Sequence, residues 1–415
     1  MKTASSRKRL LSPFLMLVTV ALVACNGPAP DDPSVSFPQP NPHRFKSSSN
    51  LAFHEISWEY FLWLTSEAES GKFIFETMYT DAAIRPESKD DTNHILGGVQ
   101  QANSEGILVD RNGRAVYTTM MIDKVYRDFV LDHKLYDAEA LLEFPGDTSF
   151  PVGALSLKAA WKIVTDGEDT SGMYARRAEI KLLSDDNGTI GIPENPETQD
   201  GVLVALVGFH IAIVVEGHPE AIWATFEHVD NAPYVVSGQR RDKPVSDEDF
   251  TFYAAKTPMQ DSNINGKPVL TLDTATQQLT PVTQVALQYR LGGGSSVNQN
   301  NIDRLNTRMH SRLPAGSIWR NYFEVGAVWF VEKDALKPDW NPNSGEDLIT
   351  GSVRLSNSVI ETFTQHIESE NECFSCHNTM SLTTVPPGKA VIPGKNVLTS
   401  HILLQNYLAE AALKR

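Results

Sequence analysis

Residues 373–377 read Cys-Phe-Ser-Cys-His. Two thiols three positions apart, with an imidazole beside the second, form the attachment pattern of a c-type haem. Each part is needed at that spacing. Cys373 and Cys376 would form thioethers with the two vinyl groups of one haem, and His377 would offer the proximal nitrogen to its iron. The chain has only three Cys and eleven His in 415 residues, so the pattern is not a by-product of composition. A Cys-x-x-Cys pair also serves thioredoxin-like redox couples and zinc sites. The first use requires a βαβ context and the second a further Cys/His pair nearby, and neither is visible. The sequence therefore predicts one covalently attached haem c.

The segments around this motif must position it. Ser358-Val-Ile-Glu361 fits a capping box, and Val359, Phe363 and Ile367 follow at helical spacing, which predicts a helix over about 357–368. Residues 399–413 read as a closing helix capped by Thr399 or Ser400. A helix, the motif and a closing helix resemble the core of a small cytochrome c. Only 38 residues follow His377, however, and the loop that would carry a distal Met is largely missing. The distal candidate is His401, at the start of the last helix. Met380 is three residues from His377, too close to reach the other haem face. His210, inside the apolar run LVGFHIAIV, is an alternative from the larger domain, and an open iron position is another. Glu227, His228 and Asp230 (FEHVDN) are close in sequence but do not converge as a metal site from a strand end, so a polar turn is expected there.

The N-terminus carries Lys2, Arg7, Lys8 and Arg9, then an apolar run from Leu10 to Ala24, and ends in Leu22-Val23-Ala24-Cys25. A basic segment, a short apolar run and small residues form an export signal rather than a membrane span. Its end resembles a bacterial lipoprotein box, which implies cleavage before Cys25 and a diacylglyceryl group on that sulfur. Asn26, where Asp would favour the inner membrane, points to the outer membrane, facing the periplasm. All three cysteines then have a use, one for lipid and two for haem. Cleavage removes four basic groups and takes the formal charge from −15 to −19. So acidic a chain has no electrostatic footprint for nucleic acid. Solubility is the first reading of such a charge; the other is steering toward a basic redox partner such as a small cytochrome, or a dehydrogenase.

Four regions follow. Residues 1–24 are the signal peptide, and 25–49, rich in Pro, Ser, Asn and Asp, a flexible tether. Residues 50–350 form a large α+β domain, and 351–415 the haem-c module. Residues 54–66 read as an amphipathic helix, 106–118 as a hairpin around Asp-Arg-Asn-Gly, and 122–143 as helix. Strand-like runs follow at 154–164, 174–183, 203–215, 221–226 and 322–331. The low-complexity stretch GGGSSVNQNN (292–301) reads as a mobile loop. Six tryptophans, Trp58, Trp63, Trp161, Trp223, Trp319 and Trp329, are core material by default, with a cleft or a haem edge as other uses. The fold class expected is a mainly antiparallel β-rich domain followed by a short helical, cytochrome-c-like haem module.

Several segments together resemble a family of uncharacterised, exported bacterial c-type cytochromes with a single C-terminal haem site. They are VDRNGRAVY (109–117), LKAAWKI (157–163), VGFHIAIV (207–214), IWATFEHVDNAP (222–233), IWRNYFEVG (318–326) and LSNSVIETF followed by CFSCH (355–377). The resemblance implies one haem on Cys373, Cys376 and His377 and an electron-transfer role. After the His210 strand this chain reads VVEGHPE (214–220), a departure, and no role is carried to that loop. No phosphate-binding loop, H-E-x-x-H or G-x-S-x-G is present, so no catalytic residue is assigned. One-electron transfer is the leading expectation. A haem oxidoreductase with an open distal site, acting on a small substrate or peroxide, and a ligand-binding or redox-sensing module are the alternatives.

Overall fold

The computed structural model describes residues 36–46, 49–68, 71–102, 104–365 and 373–413. The leader 1–24, Cys25 and the first part of the 25–49 tether lie outside the described residues. The described end of the tether lies against the domain. Phe45 is buried beside Phe53 and His218, and the Glu216 amide donates to the Pro42 carbonyl.

In chain order the elements are α1 (Asn50–Leu64), β1 (Tyr79–Thr80), β2 (Tyr117–Ile122), α2 (Lys124–Asp132), α3 (Ala138–Glu143), β3 (Leu155–Ile163) and β4 (Ala175–Lys181). The small hairpin β5 (Ser184–Asp186) and β6 (Thr189–Gly191) precedes the long strands β7 (Thr198–Val215) and β8 (His218–His228). A second small hairpin, β9 (Thr271–Asp273) and β10 (Gln278–Thr280), is followed by α4 (Ser296–His310), β11 (Tyr322–Phe330), β12 (Ile349–Gly351) and α5 (His401–Leu413).

Eight strands form one antiparallel sheet in the order β1-β2-β3-β7-β8-β11-β12, with β4 pairing the first half of β7. Its centre is β7, whose Val-, Leu- and Ile-rich second half suits a strand covered on both faces. Side chains alternate between those faces. On one face Leu157, Phe209, Ile211, Ile222, Ala224 and Phe226 join the largest apolar core. There α1 packs with α4. Phe61 stacks on Phe226 at 4.4 Å and Phe53 on Trp329 at 4.2 Å. Each such ring contributes about 1.5–3 kcal/mol by leaving water. The other face carries Ser156, Lys158, His210, Ala212 and Trp223, a polar strip in an otherwise apolar sheet.

The β-rich expectation agrees with this sheet. Two sequence-based expectations are corrected. Residues 292–301 do not form one mobile loop, because the helix α4 starts at Ser296, capped by the Ser295 hydroxyl accepting from the Asn298 amide at 3.2 Å. Its asparagines are partners for buried groups. Asn298 meets His54 Nε2 at 2.9 Å, and Asn306 accepts from Trp58 Nε1 at 3.1 Å.

The second correction concerns the fold class. The C-terminal residues do not form a helical, cytochrome-like module. Where a helix over 357–368 was expected there is a bent segment with a short 3-10 turn, Thr362–Thr364, and residues 366–372 lie outside the described residues. The reason is long-range. Glu227 at the end of β8 accepts from the Ser358 amide (2.7 Å), the Ser358 hydroxyl (2.8 Å) and the Val359 amide (3.1 Å). The hydroxyl that would have capped the helix is thereby engaged. Asn357 Oδ1 takes the Glu361 amide and Thr362 Oγ1 the Ser358 carbonyl, so side chains replace the helix ladder. Ile360 sits at φ 78°, outside the right-handed helical region. Cys373–Ser375 is a single 3-10 turn. The closing helix does form, as α5.

Candidate functional site

Strand register builds the floor of the site. Met120 on β2 pairs with Lys158 on β3, Lys158 with His210 on β7, and Ala212 on β7 with Trp223 on β8. All of these line one cavity of about 980 Å³. Cavities that take cofactor-sized ligands run to about 1,000 Å³.

The segment 355–365 forms a second wall, held down by Glu227. Its close approach depends on Gly208, since a Cβ there would come within 2.3 Å of Val359 Cγ2. The same segment is tied to Gln101 and Ala102. The Ala102 amide donates to the Ile360 carbonyl at 2.6 Å, and the Thr362 hydroxyl to Gln101 Oε1 at 2.9 Å. It brings Glu361 over the floor, with Oε2 3.5 Å from His210 Nδ1 and 2.7 Å from Asn357 Nδ2, which donates to it.

The third wall is the Cys-Phe-Ser-Cys-His turn and the start of α5. The amide of His377 donates to the Cys373 carbonyl at 2.8 Å, which closes the turn. Phe374 anchors it, fully buried, 4.8 Å from the Phe330 ring. Cys373, Cys376, His377 and His401 all line the cavity. The imidazole of His377 lies between the Trp223 ring at 4.2 Å and the His401 ring at 3.9 Å. Its Nδ1 is 2.9 Å from the Thr399 carbonyl. A carbonyl only accepts, so Nδ1 carries the proton and Nε2 keeps its lone pair. That is how a metal-ligating imidazole is held. Burial, with His401 next, keeps its pKa well below the usual histidine range, so the ring is neutral.

His401 stands ring to ring with His377. Its Nε2 is 3.1 Å from the Cys376 carbonyl, so that nitrogen donates. Met380 is exposed and does not line the cavity. His210 does line it. Its Nε2 is buried without a hydrogen-bond partner, and burial, with Lys158 beside it, lowers its pKa to about 3. Burial raises Glu361 to about 7 against the pull of Lys158 and Asn357. Lys158 is lowered by burial, with Glu361 opposing. Of the FEHVDN residues, Glu227 is the anchor described above, His228 Nε2 donates to the Gly172 carbonyl at 2.8 Å, and Asp230 is exposed.

Among the described residues no three His, Cys, Asp or Glu side chains converge on one point as a bare ion requires. The two thiols and the three imidazoles, His210, His377 and His401, are instead distributed along one cavity, a donor set that would suit a large flat group better than a bare ion. Sequence reasoning missed Lys158 and Glu361. A lone Lys in the apolar strand LKAAWKI was the available signal for the first. Glu361 read as a helix-capping residue. The chain matches no family model, no curated protein and no solved structure.

Proposed function

We propose that this chain holds one haem c through thioethers to Cys373 and Cys376, with His377 as an iron ligand, and carries electrons one at a time. The observation that carries this reading is the bond from His377 Nδ1–H to the Thr399 carbonyl, which leaves a neutral imidazole with a bare Nε2 beside two cavity-lining thiols. The haem, when bound, supplies a one-electron redox centre. The chain's residues fix its surroundings. Trp223 and His401 hold the His377 ring from both sides. Lys158 is the cavity's only Lys or Arg among the described residues and a counter-charge for acidic groups on a bound cofactor. The sheet and segment 355–365 form two of the cavity's walls.

Export through residues 1–24, acylation at Cys25 and a periplasm-facing outer-membrane location complete the proposal. They suit a haem attached outside the cytoplasm and agree with the resemblance to exported c-type cytochromes. A second reading draws on Lys158, His210 and Glu361, an acid–base set inside the cavity. In that reading the chain is a haem oxidoreductase acting on a small substrate. Expression with the haem c attachment machinery tests the common ground. Haem should stay with the polypeptide on a denaturing gel and be lost in a Cys373→Ser, Cys376→Ser double variant. Haem that leaves the wild-type chain on denaturation would refute the covalent site.

A further inference from the structure

We infer that Glu361 is a proton site linked to the haem, so that the chain takes up a proton as it takes up an electron and gives up both together. The inference rests on the electron-carrier reading above and adds the proton to it. Glu361 lines the same cavity as Cys373, Cys376 and His377. Its side chain keeps 28% of its surface exposed. One carboxyl oxygen, Oε2, accepts from Asn357 Nδ2 at 2.7 Å and lies 3.5 Å from His210 Nδ1. The other, Oε1, has no hydrogen-bond partner among the described residues and retains accessible surface on the cavity side. It can therefore gain or lose a proton without breaking a bond within the protein. The segment that Glu227 pins to β8 brings the carboxyl there, so the arrangement is built by the fold.

Each wall contributes to the field at this carboxyl. From β3 comes Lys158, whose cation favours the carboxylate. From β7 comes His210, kept neutral by burial and by Lys158. From β8 comes Glu227, engaged by Ser358 and Val359. Glu105, also in the cavity lining, is paired with Lys267. From the C-terminal turn and α5 come His377 and His401, both held below the usual histidine range by burial. Burial, opposed by Lys158, leaves Glu361 titrating at about 7, so a modest change in this field decides whether it holds a proton. Negative charge added nearby favours the neutral carboxyl, and does so more strongly within protein walls than in water. The effect is reciprocal, since a proton on Glu361 favours the reduced state by the same factor. When a one-electron donor protein reduces the site, Glu361 takes a proton from cavity water onto its carboxylate. On oxidation it returns that proton to water.

Spectroelectrochemical titration of the purified wild-type holoprotein across neutral pH tests this, and needs no variant. The reduction potential should fall as pH rises, with a slope approaching about 59 mV per pH unit, a tenfold change in the reduction equilibrium per unit. Glu361→Gln keeps the shape of the side chain and cannot ionise. It should keep its covalent haem and lose the slope. Lys158→Met should keep the slope and move it to higher pH, because the carboxylate loses its cation. Infrared difference spectra of the wild type should show a protonated-carboxyl band that grows on reduction, shifts in D2O and is missing from Glu361→Gln. A wild-type potential that does not change with pH, or a slope that survives intact in Glu361→Gln, overturns the assignment while the covalent haem stands. A wild type without covalent haem removes the proposed function and this inference together.

Discussion

At the scale of single residues, the proposal depends on how His377 is held. Its Nδ1 is fixed by Thr399 and one ring face by Trp223, whose own Nε1 donates to the Glu220 carbonyl at 2.9 Å. Trp223→Ala should leave the thioethers intact and cost at most about 3–5 kcal/mol, the range for truncating a buried Trp, since part of this one is exposed. It should also let added ligands displace His377 faster. Chemical denaturation and stopped-flow mixing with imidazole read the two effects, and ligand exchange at the wild-type rate would show that Trp223 only fills space. The Cys-x-x-Cys-His motif was legible because covalent attachment needs residue types at a local spacing. Lys158, His210 and Glu361 were not legible as a set. Two meet through strand register and the third through a loop folded back over some 150 residues of chain, and neither relation has a local signature.

At the scale of elements, the decisive contact is Glu227 with segment 355–365. Local sequence favoured a helix there. Three hydrogen bonds to one buried carboxyl outweigh it, since each contributes about 0.5–1.5 kcal/mol against a few tenths per residue of helix propensity. Glu227→Ala should leave the Ser358 and Val359 donors without a partner. It should cost about 1–3 kcal/mol for each buried donor left unpaired and open the cavity wall, seen as faster amide exchange over 356–362. Unchanged exchange there would refute the anchoring role. Burial, with Glu361 nearby, raises the Glu227 carboxyl to about 8, against the three donors. Because the folded value lies above the unfolded one, the folded state binds the proton more tightly. Its contribution is present below about pH 4.5 and is lost as pH rises toward 8. Unfolding free energy should therefore fall across that window, and more shallowly in Glu227→Gln. An identical slope in the variant would mean other carboxyls dominate, the next candidates being Glu361, raised by burial to about 7, and Asp110 and Asp123, each raised by burial to about 6. The same logic explains α4. Its asparagines look like linker sequence, and only the buried His54, Trp58 and Ser352 across the core reveal them as helix residues with fixed partners.

At the scale of the whole molecule, the strands were legible from their Val- and Ile-rich runs, and the sheet order was not. One sheet face is an apolar core under α1 and α4. The other is a polar cavity walled in part by the C-terminal residues, so the Cys-x-x-Cys-His turn packs against the sheet. The chain's net charge of −15 predicts attraction to a basic electron donor or acceptor. The bimolecular rate of electron exchange with a small basic cytochrome should fall several-fold between low and physiological ionic strength. A flat or rising dependence would exclude electrostatic steering. Cys25→Ser should release the mature protein from the membrane fraction, and a variant that stays membrane-bound would refute the acyl anchor.

The central claim is the covalent haem, and the most direct measurement is the intact mass of the purified mature protein together with its pyridine haemochrome spectrum. The account predicts a polypeptide heavier by one haem that survives denaturation, and a spectrum with both vinyl groups saturated. A polypeptide at its bare mass, or one carrying a haem extractable by acid solvent, would contradict it.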